Sequence, residues 1–256
     1  MITVHDIEAK LAEWAPLTLA VKDDPVGLQA GERGKPVKHV MVSLDVTLAV
    51  IAEAAAMGAD LLVSHHGIVK SYELRPTDGT DAGTVLLALC RAGLASVAMH
   101  TNLDAAPGGI NDVMAAMIGL TDVSVYDKKE GIGRIGILAE PTGAKTFAER
   151  CKTVFKTGVV RYHDAGKPVK TVALCSGGGG SLFEDAIIAG CDTFVTGDVG
   201  HAKFLTAQNQ GINLLDCGHF ATENIIVPVV AEYLQKAFPD LTVTLSGETA
   251  EPFRCL

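Results

Sequence analysis

Met57-Gly58-Ala59-Asp60-Leu61-Leu62-Val63-Ser64-His65-His66-Gly67 is the stretch on which the fold turns. Residues 48–57, leading into it, are alanine-rich with helical spacing, and Gly58 is placed to end that helix. Residues 61–63 are a short apolar run of the kind that forms a buried strand, and the run gives out at Ser64-His65-His66-Gly67. Working outward, residues 40–44 are a second such run. Residues 3–14 read as an amphipathic helix with Thr3 as cap and Asp6 in the capping-box position. Residues 84–91 are helical, Gly93 ends them, and 95–99 form a further strand. Strand, helix and strand in this rhythm predict an α/β layered fold.

The second half repeats the plan. Residues 171–175 are a strand, Gly177-Gly178-Gly179-Gly180 follows, and Ser181 opens a helix to residue 189. Residues 193–196 and 212–215 are strands around a helix at 203–208. The stretch from Met57 to Ser64 aligns with Ala189-Gly190-Cys191-Asp192-Thr193-Phe194-Val195-Thr196, and His100-x-x-x-Asp104 aligns with His219-x-x-x-Glu223. We read an internal duplication: two similar α/β lobes with mixed sheets flanked by helices, and a metal site in the cleft between them. The polar segment from Tyr126 to Gly133 is the boundary candidate, which gives a first lobe at 1–126 and a second at 127–256.

Bulk composition narrows the functional classes. The 256 residues are 48% apolar and 20% charged, an ordinary globular balance. Lys and Arg total 21 against 30 Asp and Glu, a formal charge of -9, which repels phosphate backbones and argues against nucleic acid as a partner. The six cysteines make no C-x-x-C pair and sit mostly in apolar runs, as reduced core thiols of a cytoplasmic protein would. Nothing near Met1 reads as a signal peptide, and no apolar run approaches the ~20 residues that span a bilayer, so no membrane association is expected.

The chemistry-bearing residues fall where strands give out. His65 and His66 would point to opposite faces of a continued strand, and Gly67 lets the backbone turn so that both rings face one cavity. Alone, the pair reads better as two partly exposed loop histidines; the ligand reading gains from the other candidate ligands at equivalent strand ends. Asp104 is a ligand candidate or a loop cap, with Asn111-Asp112 placed to cap the next helix. His219 and Glu223, four apart, share one face of a helical turn. Nitrogen and oxygen donors of this kind admit zinc, iron, manganese, cobalt or nickel and disfavour calcium. His100 is a ligand or, as we prefer, a proton donor beside the ligands. His201, near the second lobe's counterpart of the His65-His66 loop, is the other candidate for proton transfer. The glycine run from Gly177 to Gly180 either cradles an anion or allows a close backbone approach. Lys70, Arg75 and Lys203 are candidate phosphate partners or ordinary solvated charges. No Gly-x-Ser-x-Gly elbow is present to support acyl transfer.

Taken together, His65-His66-Gly67, His100-Thr101-Asn102-Leu103-Asp104 with Gly108-Gly109-Ile110-Asn111-Asp112, Gly218-His219-Phe220-Ala221-Thr222-Glu223 and Val26-Gly27-Leu28-Gln29 resemble the GTP cyclohydrolase I type 2 family, the Nif-three-like dinuclear metal-centre hexameric proteins. The resemblance covers nearly the whole chain in the same order. It implies a homohexamer and two divalent metal ions held by His65, His66, Asp104, His219 and Glu223. Two departures stand out: Gly67 replaces the usual proline after the paired histidines, and Pro25 replaces an asparagine before Val26. The function implied is a dinuclear metal-dependent hydrolase acting on a small-molecule substrate, a purine nucleotide or related phosphate compound. The alternative is a non-enzymatic metal-binding scaffold or regulatory protein.

Overall fold

The computed structural model describes residues 1–69 and 76–255. Along the chain it forms α1 (Val4–Trp14), β1 (Gly27–Ala30), β2 (His39–Ser43), α2 (Leu48–Ala56), β3 (Leu61–Ser64), α3 (Asp81–Ala92), β4 (Ala95–Ala98) and α4 (Thr101–Ala105). There follow α5 (Ile110–Met117), β5 (Leu120–Val125), β6 (Arg134–Thr142), α6 (Ala144–Val154), β7 (Arg161–His163), β8 (Val169–Leu174), α7 (Phe183–Ile188), β9 (Thr193–Thr196), α8 (His201–Gln210), β10 (Asn213–Asp216) and α9 (His219–Glu223). The chain closes with α10 (Ile226–Ala237) and β11 (Thr242–Leu245).

These elements make two compact units. The first comprises Met1–Ala106 with Ile226–Ala250, the second Pro107–Ile225 with Glu251–Leu256. Residues 107–126 and 226–250 therefore fall on the other side of a 126/127 division. β5 pairs antiparallel with β6, which ties it to the second unit. β11 adds in parallel to β2, with Val243 beside Val40, and ties residues 226–250 to the first. Tyr233 of α10 donates its hydroxyl to the Lys10 carbonyl at 3.0 Å and packs its ring on Trp14.

Each unit is a mixed sheet with helices packed on it. The first sheet has the order β1-β4-β3-β2-β11, with β1 antiparallel at its edge and the other pairs parallel. The second has the order β5-β6-β8-β9-β10-β7, with β8, β9 and β10 parallel and the remaining pairs antiparallel. β2, β3 and β4 in one sheet thus repeat β8, β9 and β10 in the other. The repeated Gly-x-Asp explains part of the likeness. Gly58 and Gly190 both take positive φ after a helix. Asp60 then accepts the backbone N–H groups of Lys38 and His39, and Asp192 those of Lys170 and Thr171, so each carboxylate fixes the start of the neighbouring strand.

Parallel strands covered on both faces are continuous apolar runs, and all four residues of β3 and of β9 are buried. Leu62 and Met41 pack with Val50, Ile51 and Leu89 in the first unit. Val195, Val172, Leu174 and Leu215 pack with Phe147 and the thiols of Cys151 and Cys217 in the second. All six cysteines are free thiols; Cys151, Cys175, Cys191 and Cys217 are buried, while Cys90 and Cys255 are exposed, outside the expected core placement.

The capping box of α1 forms as read: Asp6 N–H donates to Thr3 Oγ1 at 3.3 Å and Thr3 N–H to Asp6 Oδ2 at 2.8 Å. Thr3→Ala should destabilise the protein by about 1 kcal/mol in chemical denaturation. Asn111 and Asp112 lie inside α5 and do not cap it; Gly109 takes the cap position without a side-chain bond. Asp112 instead accepts from Gly108 N–H and pairs with buried Arg134. No helix among the described residues is long and apolar enough to cross a membrane.

Candidate metal centre

In the first unit the rings of His65, His66 and His100 converge. Their centroids lie 5.0 Å (His65–His66), 5.3 Å (His65–His100) and 5.6 Å (His66–His100) apart. One ligand nitrogen from each lies within 4.8 Å of the others, a donor set able to hold a metal ion. Asp104 brings a buried carboxylate, its Oδ1 3.7 Å from His65 Nε2. His100 caps α4 and Asp104 sits one turn on, so a helix of five residues carries both. Asn102, fully buried between them, donates Nδ2–H to the Ala15 carbonyl at 2.8 Å and locks that turn.

Gly67 sits differently from the way expected. It has no positive φ; its place is a close approach, where an added Cβ would meet Gln29 Oε1 at 3.1 Å. Gln29 accepts Val69 N–H at 3.1 Å and donates to the Pro25 carbonyl at 2.6 Å. The motif Val26-Gly27-Leu28-Gln29 thereby braces the loop after His65-His66.

In the second unit His219 and Glu223 occupy one face of α9, with His219 Nε2 3.0 Å from Glu223 Oε2. Gly218 takes φ +85 ahead of them, a conformation that favours glycine. The glycine run resolves toward close approach. A Cβ on Gly177 would lie 1.9 Å from Glu223 Oε1, and one on Gly179 2.4 Å from the Cβ of Cys175. Ser176, Gly177 and Gly179 already donate their N–H groups to Asn111, Thr222 and Thr196, so these amides do not point into an anion nest.

Every one of these imidazoles is held through Nδ1. His65 reaches the Met99 carbonyl at 2.9 Å, His66 reaches Asp45 at 2.7 Å, His100 reaches Asp24 at 3.0 Å and His219 reaches Asp198 at 2.8 Å. A carbonyl or carboxylate only accepts, so Nδ1 carries the proton and, in the neutral ring, the lone pair is left on Nε2. That is the usual arrangement of a metal-binding histidine, and the residues fit the group the sequence implied. Asp24 and Asp45 escaped sequence reading; nothing distinguishes them there from any loop aspartate.

The other candidates fare differently. His201 is exposed at the start of α8, and it is Asp198, three residues earlier, that reaches His219. Lys203 is paired with Glu184 at 2.6 Å. Lys70 and Arg75 lie outside the described residues.

Charge follows geometry. Burial pushes Asp24 up, but hydrogen bonds from His100 and Thr101 outweigh it and hold its carboxyl below the ordinary value. The hydrogen bond to Glu223 raises His219 most; burial opposes it, Asp198 adds to it, and the ring is pushed up to about 9 from an ordinary 6.5. The proton held there stabilises the cation-free fold fully below about pH 6.5, and that contribution is lost as pH rises through about 9. A cation needs the neutral ring and must displace the proton, so cation affinity should rise with pH between these values. Calorimetric titration at pH 7.5 in buffers of different ionisation heat should show net proton release, which Glu223→Gln should reduce.

Comparison with known proteins agrees with this picture. A model of the Duf34/NIF3 (NGG1p interacting factor 3) family matches residues 2–252. A protein of Lactococcus lactis named GTP cyclohydrolase 1 type 2 homolog is 31% identical over 254 residues, 98% of each chain. The crystal structure of a Bacillus cereus protein related to NIF3 superposes with a TM-score of 0.92 at 21% identity, covering 100% of this chain and 99% of that one. A crystal structure from Thermus thermophilus superposes at 0.83 with 25% identity over 99% of this chain and 100% of that one. With the family model spanning nearly its full length, this chain belongs to the Duf34/NIF3 family.

Proposed function

We propose that the chain is a metal-dependent hydrolase that holds two divalent cations through His65, His66, Asp104, His219 and Glu223. Its substrate is a purine nucleotide or a related phosphate compound, as the name of its Lactococcus lactis relative suggests. The observation that carries the reading is the set of imidazoles held through Nδ1, with carboxylates 3.7 Å from His65 and 3.0 Å from His219. Nitrogen and oxygen donors suit zinc, iron, manganese, cobalt or nickel. When bound, such ions lower the pKa of water and offset negative charge that develops on the substrate.

The chain's own residues do the rest. Asp104 and Glu223 bring negative charge that offsets the cations and holds them in the site. His100 is the proton carrier: Asp24 fixes its Nδ1–H, which leaves Nε2 to take a proton and give it back. Exposed His201 is less well placed for that role. The homohexamer and the cytoplasmic setting are carried over from the sequence reading.

The test is an assay of cation-loaded protein against a panel of nucleotides and phosphoesters, beside Glu223→Ala as control. We expect turnover of a purine nucleotide by the wild type alone. Turnover no greater than that of the control across the panel would contradict the hydrolase and leave the non-enzymatic metal-binding reading.

A further inference from the structure

Two aspartates outside the ligand set stand where they would decide which nitrogen each ring offers. Asp45 lies just past β2 and bonds Nδ1 of His66, which lies just past β3, at 2.7 Å. Asp198 lies just past β9 and bonds Nδ1 of His219, which lies just past β10, at 2.8 Å. β2 and β3 are parallel neighbours in one sheet, and β9 and β10 are parallel neighbours in the other. The same device is therefore built twice: a carboxylate from one strand end holds the imidazole from the next.

Asp198 takes positive φ, at +54°, as Asp23 and Asp122 also do among the described residues, a region aspartate enters more readily than most side chains.

We propose that Asp45 and Asp198 are positioning residues for cation binding: each fixes its imidazole with the proton on Nδ1 and Nε2 turned to the ion. The inference rests on the cation reading above and goes beyond it, because neither aspartate belongs to the ligand set. Outer partners of this kind typically change metal affinity by 10–100-fold.

The experiment measures cobalt(II) affinity, by competition with a chromophoric chelator, together with the visible spectrum of the bound ion. The proteins are wild type, Asp45→Ala, Asp45→Asn, Asp198→Gly and Asp198→Asn, each checked for an unchanged far-ultraviolet circular dichroism spectrum. Asp45→Ala and Asp198→Gly should bind about 10–100-fold more weakly, with shifted cobalt bands. The Asn variants keep an oxygen that accepts Nδ1–H, and asparagine tolerates positive φ, so they should recover most of the affinity and the wild-type bands. Wild-type affinity and spectrum in Asp45→Ala and Asp198→Gly, or an equal loss in the Asn variants, would overturn the orienting role. Absence of cobalt binding by the wild type would instead sink the cation reading itself, so the two failures are distinguishable.

Discussion

Glu223→Ala should lower cation affinity more than about 100-fold, beyond the range for outer partners, because it removes a proposed ligand rather than the support of one. Glu223 is buried, and its Oε2 lies 3.0 Å from His219 Nε2. Without it His219 loses the main cause of its raised pKa, so the pH dependence of cation uptake should weaken as well. Glu223→Gln keeps the volume but not the charge and should fall between the two. Competition titration with a chelator checks the affinity, and repeating it from pH 6 to pH 9 checks the slope. An unchanged affinity in Glu223→Ala would remove this residue from the ligand set.

Gly177→Ala should lower stability by about 3 kcal/mol, from two sources that add. Gly177 sits at φ +57, where a side chain is strained, at a cost of order 1–3 kcal/mol. Its new Cβ would also stand 1.9 Å from Glu223 Oε1 and 3.1 Å from His219 Nε2, so those side chains or the backbone must move, an overpacking cost of typically 1–3 kcal/mol. For a chain of this size the melting temperature should fall by about 10 °C. Cation affinity should fall with it, since the group displaced is Glu223. Gly180→Ala is the matched control: an added Cβ there meets nothing within 4 Å, and φ is not positive, so little should change.

Much of the fold was legible because parallel strands are written as short continuous apolar runs. β3, β9 and β10 are buried at every position, and each lies within a residue or two of where its run suggested. The duplicated motif was legible too, and the structure gives its physical basis in Asp60 and Asp192, which fasten neighbouring strands. What escaped was written differently. β5 is exposed at five of six positions, and β7 is three residues long with polar Arg161 and His163. α10 is interrupted in sequence by Pro228, which looks like a breaker but falls in the first helical turn, where its missing N–H costs nothing. Placement of α10 and β11 with the first unit depends on pairing across some two hundred residues, which no local pattern records.

The site divides in the same way. His65, His66 and Asp104 are candidates because each follows a strand, and His219 with Glu223 because of their four-residue spacing. The close contact at Gly177 was one of two readings the sequence left open, and the approach of Glu223 to this backbone favours it. Asp24 and Asp45 are lone carboxylates in loops, and only the hydrogen bonds to His100 and His66 give them meaning. His201 misleads for the opposite reason: its neighbourhood in sequence suggests the site, but the start of α8 leaves it exposed.

Cations bound per chain, measured by elemental analysis after saturation and removal of excess metal, test the central claim most directly. The wild type should hold two divalent ions per chain, and His65→Ala and Glu223→Ala should each hold fewer. A wild type that retains none, or variants that retain as much as the wild type while folded, would contradict the account.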